Sequence, residues 1–401
     1  MSNENQKPTV WNKTFVMLLV INGIQSLGFQ ILTPNLPVYA LKFTSSETIL
    51  GVLGASIAIA ALATRPFSAL LTDRGNRKNI IIIALAAMAA TGIGLLIAAN
   101  IYQLILVRLL QGFLFSILST IVVASGIIAI PESKLGYGVG LLSLSNIGCQ
   151  AVAPALGIFI SGKYGYPNLF IFVALLSVIS AIVAFTLAKT PVPKRDPAAG
   201  KKLAFRDFFA VETFNLVFLM MFFTASTSII SNFLLLYGNS VGLSGLGYYF
   251  TIFAIVMILI RLIGGGLVDR FYYGAIVIVS AVLMIVGLLV LANALSFAYL
   301  AVTAILMGVG YGYANPAIQA EMVKRVGPDR VGAVTATSYI GMDSAYVLAP
   351  IIMGAIAENS GYKWGFSAFC FPLAAAVIFI VYENRRYLKN KFLTGERKSN
   401  P

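Results

Sequence analysis

The two halves of the chain match each other at a constant offset of 196 residues, and this duplication limits the possible folds more than any local motif. Arg65 lies opposite Arg261, and Asp73-Arg74 lies opposite Asp269-Arg270. The other identities are Gly51 with Gly247, Gly112 with Gly308, Gly136 with Gly332, Pro154 with Pro350, and Gly165-Tyr166 with Gly361-Tyr362. Because none of these matches needs a gap, the sequence predicts two parallel copies of one structural unit.

Composition indicates that these units lie in a lipid bilayer. Hydrophobic residues make up 59% of the chain and charged residues only 10%, whereas about 25% charge is usual for a soluble protein. A membrane-spanning helix needs about 20 apolar residues and satisfies its own backbone hydrogen bonds in lipid. Twelve stretches qualify as spans 1 to 12: 14–39, 47–71, 79–99, 101–128, 136–162, 166–187, 211–237, 244–268, 273–293, 296–321, 332–357 and 362–382.

These spans predict an all-α membrane protein of twelve transmembrane helices in two pseudo-symmetric six-helix bundles. The predicted divisions are an N-terminal bundle over 1–187, a linker over 188–210, a C-terminal bundle over 211–383 and a basic tail over 384–401. Because residues 1–13 are polar and span 1 is long, we expect no cleavable signal peptide.

The positions of Lys and Arg predict the orientation in the membrane. If the N-terminus is cytoplasmic, 22 of the 28 basic residues fall in cytoplasmic segments, and only Lys42, Lys163 and Lys363 fall outside. Such a bias places both termini in the cytoplasm. The formal net charge of +14 therefore reflects membrane topology, and no nucleic acid partner is expected. We expect a multi-pass protein of the plasma membrane.

Several classes of chemistry lack their usual side chains. The chain has no histidine, and its two cysteines, Cys149 and Cys370, are isolated within apolar stretches. This pattern predicts neither a disulfide framework nor a metal site, and it removes the commonest proton shuttle. We therefore expect no metal, no cofactor and no enzymatic activity.

The connections after spans 2 and 8 carry a duplicated charged motif. The first reads Arg65-Pro-Phe-Ser-Ala-Leu-Leu-Thr-Asp73-Arg74-Gly75-Asn76-Arg77-Lys78, and the second retains Gly265, Asp269 and Arg270. It resembles the major facilitator superfamily signature, Gly-x-x-x-Asp-Arg/Lys-x-Gly-Arg-Arg/Lys, with Ala69 and Asn76 replacing the two glycines. Because the repeat, the span count and the motif positions agree, the resemblance covers nearly the whole chain and implies a transporter with the major facilitator fold.

The same motif predicts a latch between the two bundles. The start of a helix carries about half a positive charge, so we expect Asp73 to lie against the start of span 11 and Asp269 against that of span 5. The predicted latch residues are Asp73, Arg74, Arg77, Asp269 and Arg270. The alternative is a signal that only sets topology, which explains Arg77 but not Asp73.

Span 4 contains an intramembrane arginine. Arg108-Leu-Leu-Gln111-Gly112 resembles the Arg-x-x-Gln-Gly pattern of proton-coupled members of the superfamily. An arginine at this depth usually faces a polar cavity, and we expect the same of Arg108. The alternative is that its side chain reaches the outer interface.

Two further resemblances point to export. In span 5, Gly148, Pro154 and Gly157 resemble imperfectly the Gly-Pro-x-x-Gly-Gly pattern of exporters, and Pro34-Asn-Leu-Pro37 in span 1 resembles twelve-span drug:proton antiporters. Small residues permit close helix packing, so these positions are also compatible with ordinary packing.

Asp343 is the one acid deep within a span. Burial favours the neutral form of a carboxyl group, so Asp343 could bind either a proton or a substrate. The alternative is a permanent partnership with Arg108 or a nearby tyrosine. The other residues predicted to bind substrate or couple protons are Asn22, Gln25, Gln111, Asn232, Tyr311, Asn315, Gln319, Tyr339 and Tyr346.

The resulting interpretation is a secondary transporter, functional as a monomer in the bilayer, in which two bundles rock about a central site. It would export a small organic molecule in exchange for protons. The alternatives are a proton-coupled uptake symporter, a facilitator or a lipid flippase of the same fold. The charge of the substrate stays open, because Asp343 suits a cation and Arg108 suits an anion.

Overall fold

The computed structural model of the chain describes residues 10–74, 76–131, 134–187, 210–263, 271–327 and 330–394. Regular structure within these ranges is helical throughout. The helices are α1 Lys13–Ala40, α2 Glu47–Arg74, α3 Arg77–Ile97, α4 Ile101–Ile128, α5 Leu135–Tyr164, α6 Tyr166–Phe185, α7 Phe214–Ser240, α8 Leu246–Ile263, α9 Tyr273–Ala292, α10 Phe297–Val326, α11 Val331–Ser360, α12 Tyr362–Ala368 and α13 Cys370–Thr394, with a 3-10 turn at Val211–Thr213 before α7.

The helices confirm the prediction of an all-helical membrane protein. In the described ranges, eleven stretches are long and apolar enough to cross a bilayer, and α8 adds a shorter apolar stretch, Leu246–Leu262. Each predicted span coincides with one helix, except that α12 and α13 share the last. With twelve crossings, the first helix begins and the last helix ends on the same side of the bundle, here called the termini end, and the opposite side is the far end.

The twelfth span differs from its prediction because it is broken at Phe369. Pro372 has no N–H to bond the Ala368 carbonyl group, and its ring crowds that carbonyl. The helix resumes as α13 and continues to Thr394, so part of the predicted tail is helical. The predicted linker lies outside the described residues, apart from Ala210.

The duplication in the sequence reappears as duplicated helix packing within each half. A Cβ built on Gly112 would lie 2.3 Å from the carbonyl oxygen of Ile57, and one on Gly308 would lie 3.1 Å from that of Phe253. Ile57 and Phe253 are themselves 196 residues apart. The close contact of α4 with α2 is therefore repeated by α10 with α8, and glycine permits it.

The interface between the N-terminal half (α1–α6) and the C-terminal half (α7–α13) follows the same repeat. On one side α2 contacts α11: a Cβ on Gly51 would lie 2.2 Å from the Pro350 carbonyl oxygen and 3.2 Å from the Cα of Ile351. On the other side α8 contacts α5: a Cβ on Gly247 would lie 3.1 Å from the Cα of Ala155, the repeat partner of Ile351. The two halves thus meet through equivalent surfaces.

Hydrogen bonds close the far end between the halves. The Ser46 hydroxyl donates to Glu358 Oε2 at 2.9 Å, and the Thr48 backbone N–H donates to the same oxygen at 3.0 Å. The Tyr362 hydroxyl donates to Glu47 Oε1. Since Thr48 lies in the first turn of α2, the Glu358 carboxylate caps a helix of the other half. Its negative charge also interacts favourably with the partial positive charge at the start of that helix.

Removing this cap is expected to loosen the far end. Glu358→Ala leaves the Ser46 hydroxyl and the Thr48 backbone N–H without this acceptor in the other half. We expect the variant to raise several-fold the rate at which a membrane-impermeant maleimide labels a cysteine introduced at Asn232, which is 2% exposed at the interface. The measurement needs a background without Cys149 and Cys370.

A matched control lies one residue away. Asn359 is exposed, and its amide donates only within α11, to the Ala355 carbonyl oxygen at 2.8 Å. Asn359→Ala should therefore leave the labelling rate unchanged. Equal labelling rates in Glu358→Ala and in the parent would show that the cap does not hold the far end closed.

Candidate functional site

A bidentate ion pair joins the two halves near the middle of the bundle. Arg65 on α2 donates from Nη2 to Asp343 Oδ1 at 3.0 Å and from Nε to Oδ2. The guanidinium carbon also lies 4.8 Å from the ring centre of Tyr339 on α11. The side chains of Arg65 and Asp343 are 27% and 14% exposed. Because Arg65 belongs to one half and Asp343 to the other, the pair ties the halves together.

The structure does not pair Asp343 with Arg108, as one reading of the sequence would have it. Sequence analysis missed the actual partner, Arg65, although this residue was one of few intramembrane arginines and matched Arg261 in the repeat. That match was the available signal. A charge inside an apolar helix is costly, so an arginine present in both copies of the repeat indicates a role for the side chain.

Further predicted residues gather around Asp343 in the C-terminal half. Tyr346 lies next to both Asp343 and Tyr311. Tyr311 in turn lies beside Asn315 and Arg261. Arg65, Tyr311, Asn315, Tyr339, Asp343 and Tyr346 are called the Asp343 cluster below. It combines a titratable carboxylate with aromatic surface, which can bind an organic molecule and a proton.

Arg108 occupies a separate cavity inside the N-terminal half. Its side chain is buried, and its Nη1 donates to Gln111 Oε1 at 3.1 Å, while Gln111 Nε2 donates to Thr91 Oγ1 at 3.1 Å. Gln25 also lines the cavity. Arg108 therefore faces inward instead of reaching the outer interface, and Gln25, Arg108 and Gln111 are together but apart from the Asp343 cluster.

Three predicted site residues lie elsewhere. Asn22 donates to Asn146 Oδ1 at 2.8 Å and so joins α1 to α5. Asn232 packs against α2, because a Cβ on Gly54 would lie 2.4 Å from its Oδ1. Gln319 is half-buried on α10 and makes no hydrogen bond to another residue in the described ranges. Asn22 and Asn232 thus contribute to helix packing.

Of the small residues predicted to pack closely on α5, one does so and another does not. A Cβ on Gly157 would lie 2.4 Å from Asn35 Nδ2 on α1, whereas one on Gly148 would meet nothing within 4 Å. Close packing therefore involves Gly157, and the expectation for Gly148 is not met. Pro154 lies within α5 beside Ala155, which contacts α8.

The latch prediction falls mostly on residues that the structure does not describe. The side chains of Asp73 and Arg74, and all of Asp269 and Arg270, lie outside the described part of the chain. Arg77 is described and is buried at the start of α3. The latch stays a prediction.

Comparison with known proteins places this arrangement among transporters. The family described as Major Facilitator Superfamily matches residues 18–336 and 245–400. The multidrug resistance efflux pump PmrA of Streptococcus pneumoniae is 25% identical over 92% of this chain and 96% of its own length. The multidrug resistance protein MdtG of Proteus mirabilis is 26% identical over 98% of this chain and 100% of its own.

Solved structures agree on the fold. The crystal structure of the nucleoside transporter NupG has a TM-score of 0.72 at 14% sequence identity, and the match covers 92% of this chain and 98% of that protein. At this identity the likeness concerns the helix arrangement alone.

Proposed function

Since this chain belongs to the major facilitator superfamily, we propose that it exports a small organic molecule across the plasma membrane in exchange for protons. Export is supported by relatives that are named multidrug efflux pumps and that match nearly the full length of the chain at about 25% identity. The partial exporter pattern around Pro154 points the same way. The observation that carries proton coupling is the Arg65–Asp343 pair, a titratable link between the two moving halves.

The proposal includes an orientation. Because 22 of 28 basic residues belong to the two terminal segments and to the connections that twelve crossings put on the same side as the termini, we assign the termini end to the cytoplasm. The far end, closed by Glu358 and by the contact of Gly51 with Pro350, then faces outside. With this orientation, the closed far end makes the structure a conformation closed to the outside.

Proton coupling follows from the charge of Asp343. The ionised carboxylate accepts both hydrogen bonds from Arg65, whereas a protonated carboxyl group has no charge with which to hold it. An antiporter must not reorient when it carries neither substrate nor proton. Reorientation of the empty carrier would let protons cross the membrane without any export of substrate. The ion pair supplies that restraint in the empty, deprotonated carrier, and protonation removes it.

The charged connections complete the cycle on the cytoplasmic side. In the outward-open conformation the termini end must close. The latch residues Asp73, Arg74, Arg77, Asp269 and Arg270 are suited to this, because each acid can lie against a helix start. Substrate then leaves the Asp343 cluster for the outside, and a proton from the outside binds there.

The direction of transport is tested in membrane vesicles. A thermal-shift screen of the purified protein against metabolites and drugs first identifies a ligand, since a molecule that binds the native state raises its stability. In inside-out vesicles with an acidic lumen, we expect that ligand to accumulate in the lumen as protons leave. Accumulation only in right-side-out vesicles placed in acidic medium would instead identify an uptake symporter. Movement of a lipid reporter without ligand transport would identify a flippase.

A further inference from the structure

The guanidinium group of Arg108 is buried without a compensating negative charge. Arg108 is 2% exposed, and among the described residues its hydrogen-bond acceptor is the neutral amide oxygen of Gln111. Its Nε is buried with no partner. The cavity beside it is lined by the amides Gln25 and Gln111, the stacked rings of Phe29 and Phe115, and Ser177, and no described acid lines it.

This arrangement is costly unless something else supplies a negative charge. An ion taken out of water into a protein interior loses much of its solvation free energy, even after the surroundings relax. Arginine cannot avoid the cost by losing its proton, because the guanidinium stays charged in proteins. One amide oxygen offsets only part of the cost.

The charged and amide residues of this cavity have no counterpart in the repeat. The position equivalent to Arg108 in the C-terminal half is Ala304, and the position equivalent to Gln111 is Met307. Thr303, beside Ala304, instead bonds the Gly287 carbonyl oxygen. The buried charge is therefore particular to the N-terminal half and is not required by the packing that both halves share.

We propose that this cavity binds one small inorganic anion of the size of chloride, held by the guanidinium of Arg108. Free volume of about 30 Å³ gives room for about one or two water molecules or one halide. The amide groups of Gln25 and Gln111 supply further hydrogen-bond donors. The apolar rings of Phe29 and Phe115 keep the local dielectric constant low, which strengthens the attraction between ion and guanidinium. The site is independent of Asp343 and of the direction of transport.

Equilibrium binding of radioactive chloride to the purified protein tests the site, in gluconate buffer without a gradient or an organic substrate. We expect saturable binding of one chloride per chain, displaced by bromide but not by sulfate, which carries two charges, is more strongly hydrated than a halide and costs more to bring into a buried cavity. Arg108→Gln should weaken this binding at least about tenfold, because a charged hydrogen-bond partner is lost. Lys163→Gln removes an exposed charge at the far end and should leave binding unchanged.

A second variant guards against a misfolded Arg108→Gln protein. Gln111→Leu keeps the guanidinium but removes its amide neighbour, and it should weaken chloride binding while bromide still displaces the ion. Absence of saturable chloride binding in the parent protein would overturn the proposal, as would parent-like binding by folded Arg108→Gln or displacement by sulfate as readily as by bromide. None of these results bears on transport driven through Asp343, so the two proposals fail separately.

Discussion

Asp343→Asn is expected to abolish proton-driven transport while leaving the protein folded. The carboxamide has nearly the shape of the carboxyl group but can neither titrate nor form an ion pair with Arg65. Hydrogen bonds to a charged group contribute about 2 kcal/mol, so loss of the charged link should shift the equilibrium between conformations about 30-fold. In proteoliposomes, ligand accumulation driven by a pH gradient should disappear, whereas exchange of labelled for unlabelled ligand without a gradient should persist.

Two conservative variants provide the controls for this result. Asp343→Glu keeps a titratable carboxylate and should retain part of the proton-driven accumulation. Arg65→Lys keeps the positive charge but loses the two-pronged geometry and the contact with Tyr339, so it should be intermediate. Proton-driven accumulation at the parent rate in Asp343→Asn would remove Asp343 from the coupling mechanism.

Gly51→Ala is expected to prevent closure of the far end. The added Cβ would lie 2.2 Å from the Pro350 carbonyl oxygen and 2.9 Å from the Pro350 carbonyl carbon, and backbone atoms cannot move aside as a side chain can. Overpacking of this kind costs about 2 kcal/mol, or about 30-fold in the population of the closed conformation. Transport should fall by a similar factor, and a cysteine at Asn232 should be labelled faster from the outside.

Gly162→Ala is the matched control for this substitution. Gly162 is a helical glycine toward the same end of the bundle, on α5, and a Cβ there would meet nothing within 4 Å. Both substitutions raise helix propensity equally, so any difference between them reports the contact with α11. Parent-like transport by Gly51→Ala would show that the α2–α11 contact does not have to close during the cycle.

The sequence predicted the helices and the duplication of the fold for a physical reason. Apolar length marks a membrane helix directly, and a glycine kept in both halves marks a steric need that both halves share. Gly51 and Gly247 lie where the halves meet, and Gly112 and Gly308 lie where helices cross within a half. The break at Phe369 was harder to foresee, because Pro154, Pro316 and Pro350 interrupt no helix.

The contacts that the sequence could not predict are those that break the repeat. Asp343 corresponds to Ile147 in the first half, and Glu358 corresponds to Gly162. Their partners, Arg65 and the start of α2, are about 280 to 310 residues away in the chain, beyond the reach of any local pattern. Helical spacing likewise identifies a polar face without showing its neighbour, which is why Asn232 was predicted to line the site yet packs against Gly54.

The most direct test of the account measures the far-end distance as a function of pH. Spin labels are placed at Lys42 and Asn359, which are exposed at the far end in opposite halves, in a chain without Cys149 and Cys370 and held in lipid nanodiscs. While Asp343 is ionised we predict that the short distance of the closed conformation predominates, and that lowering the pH until the carboxyl group is protonated shifts the population toward a longer distance. Asp343→Asn should show the acid-like distribution at every pH. Identical distributions in alkali, in acid and in Asp343→Asn would contradict the claim that protonation of Asp343 releases the two halves.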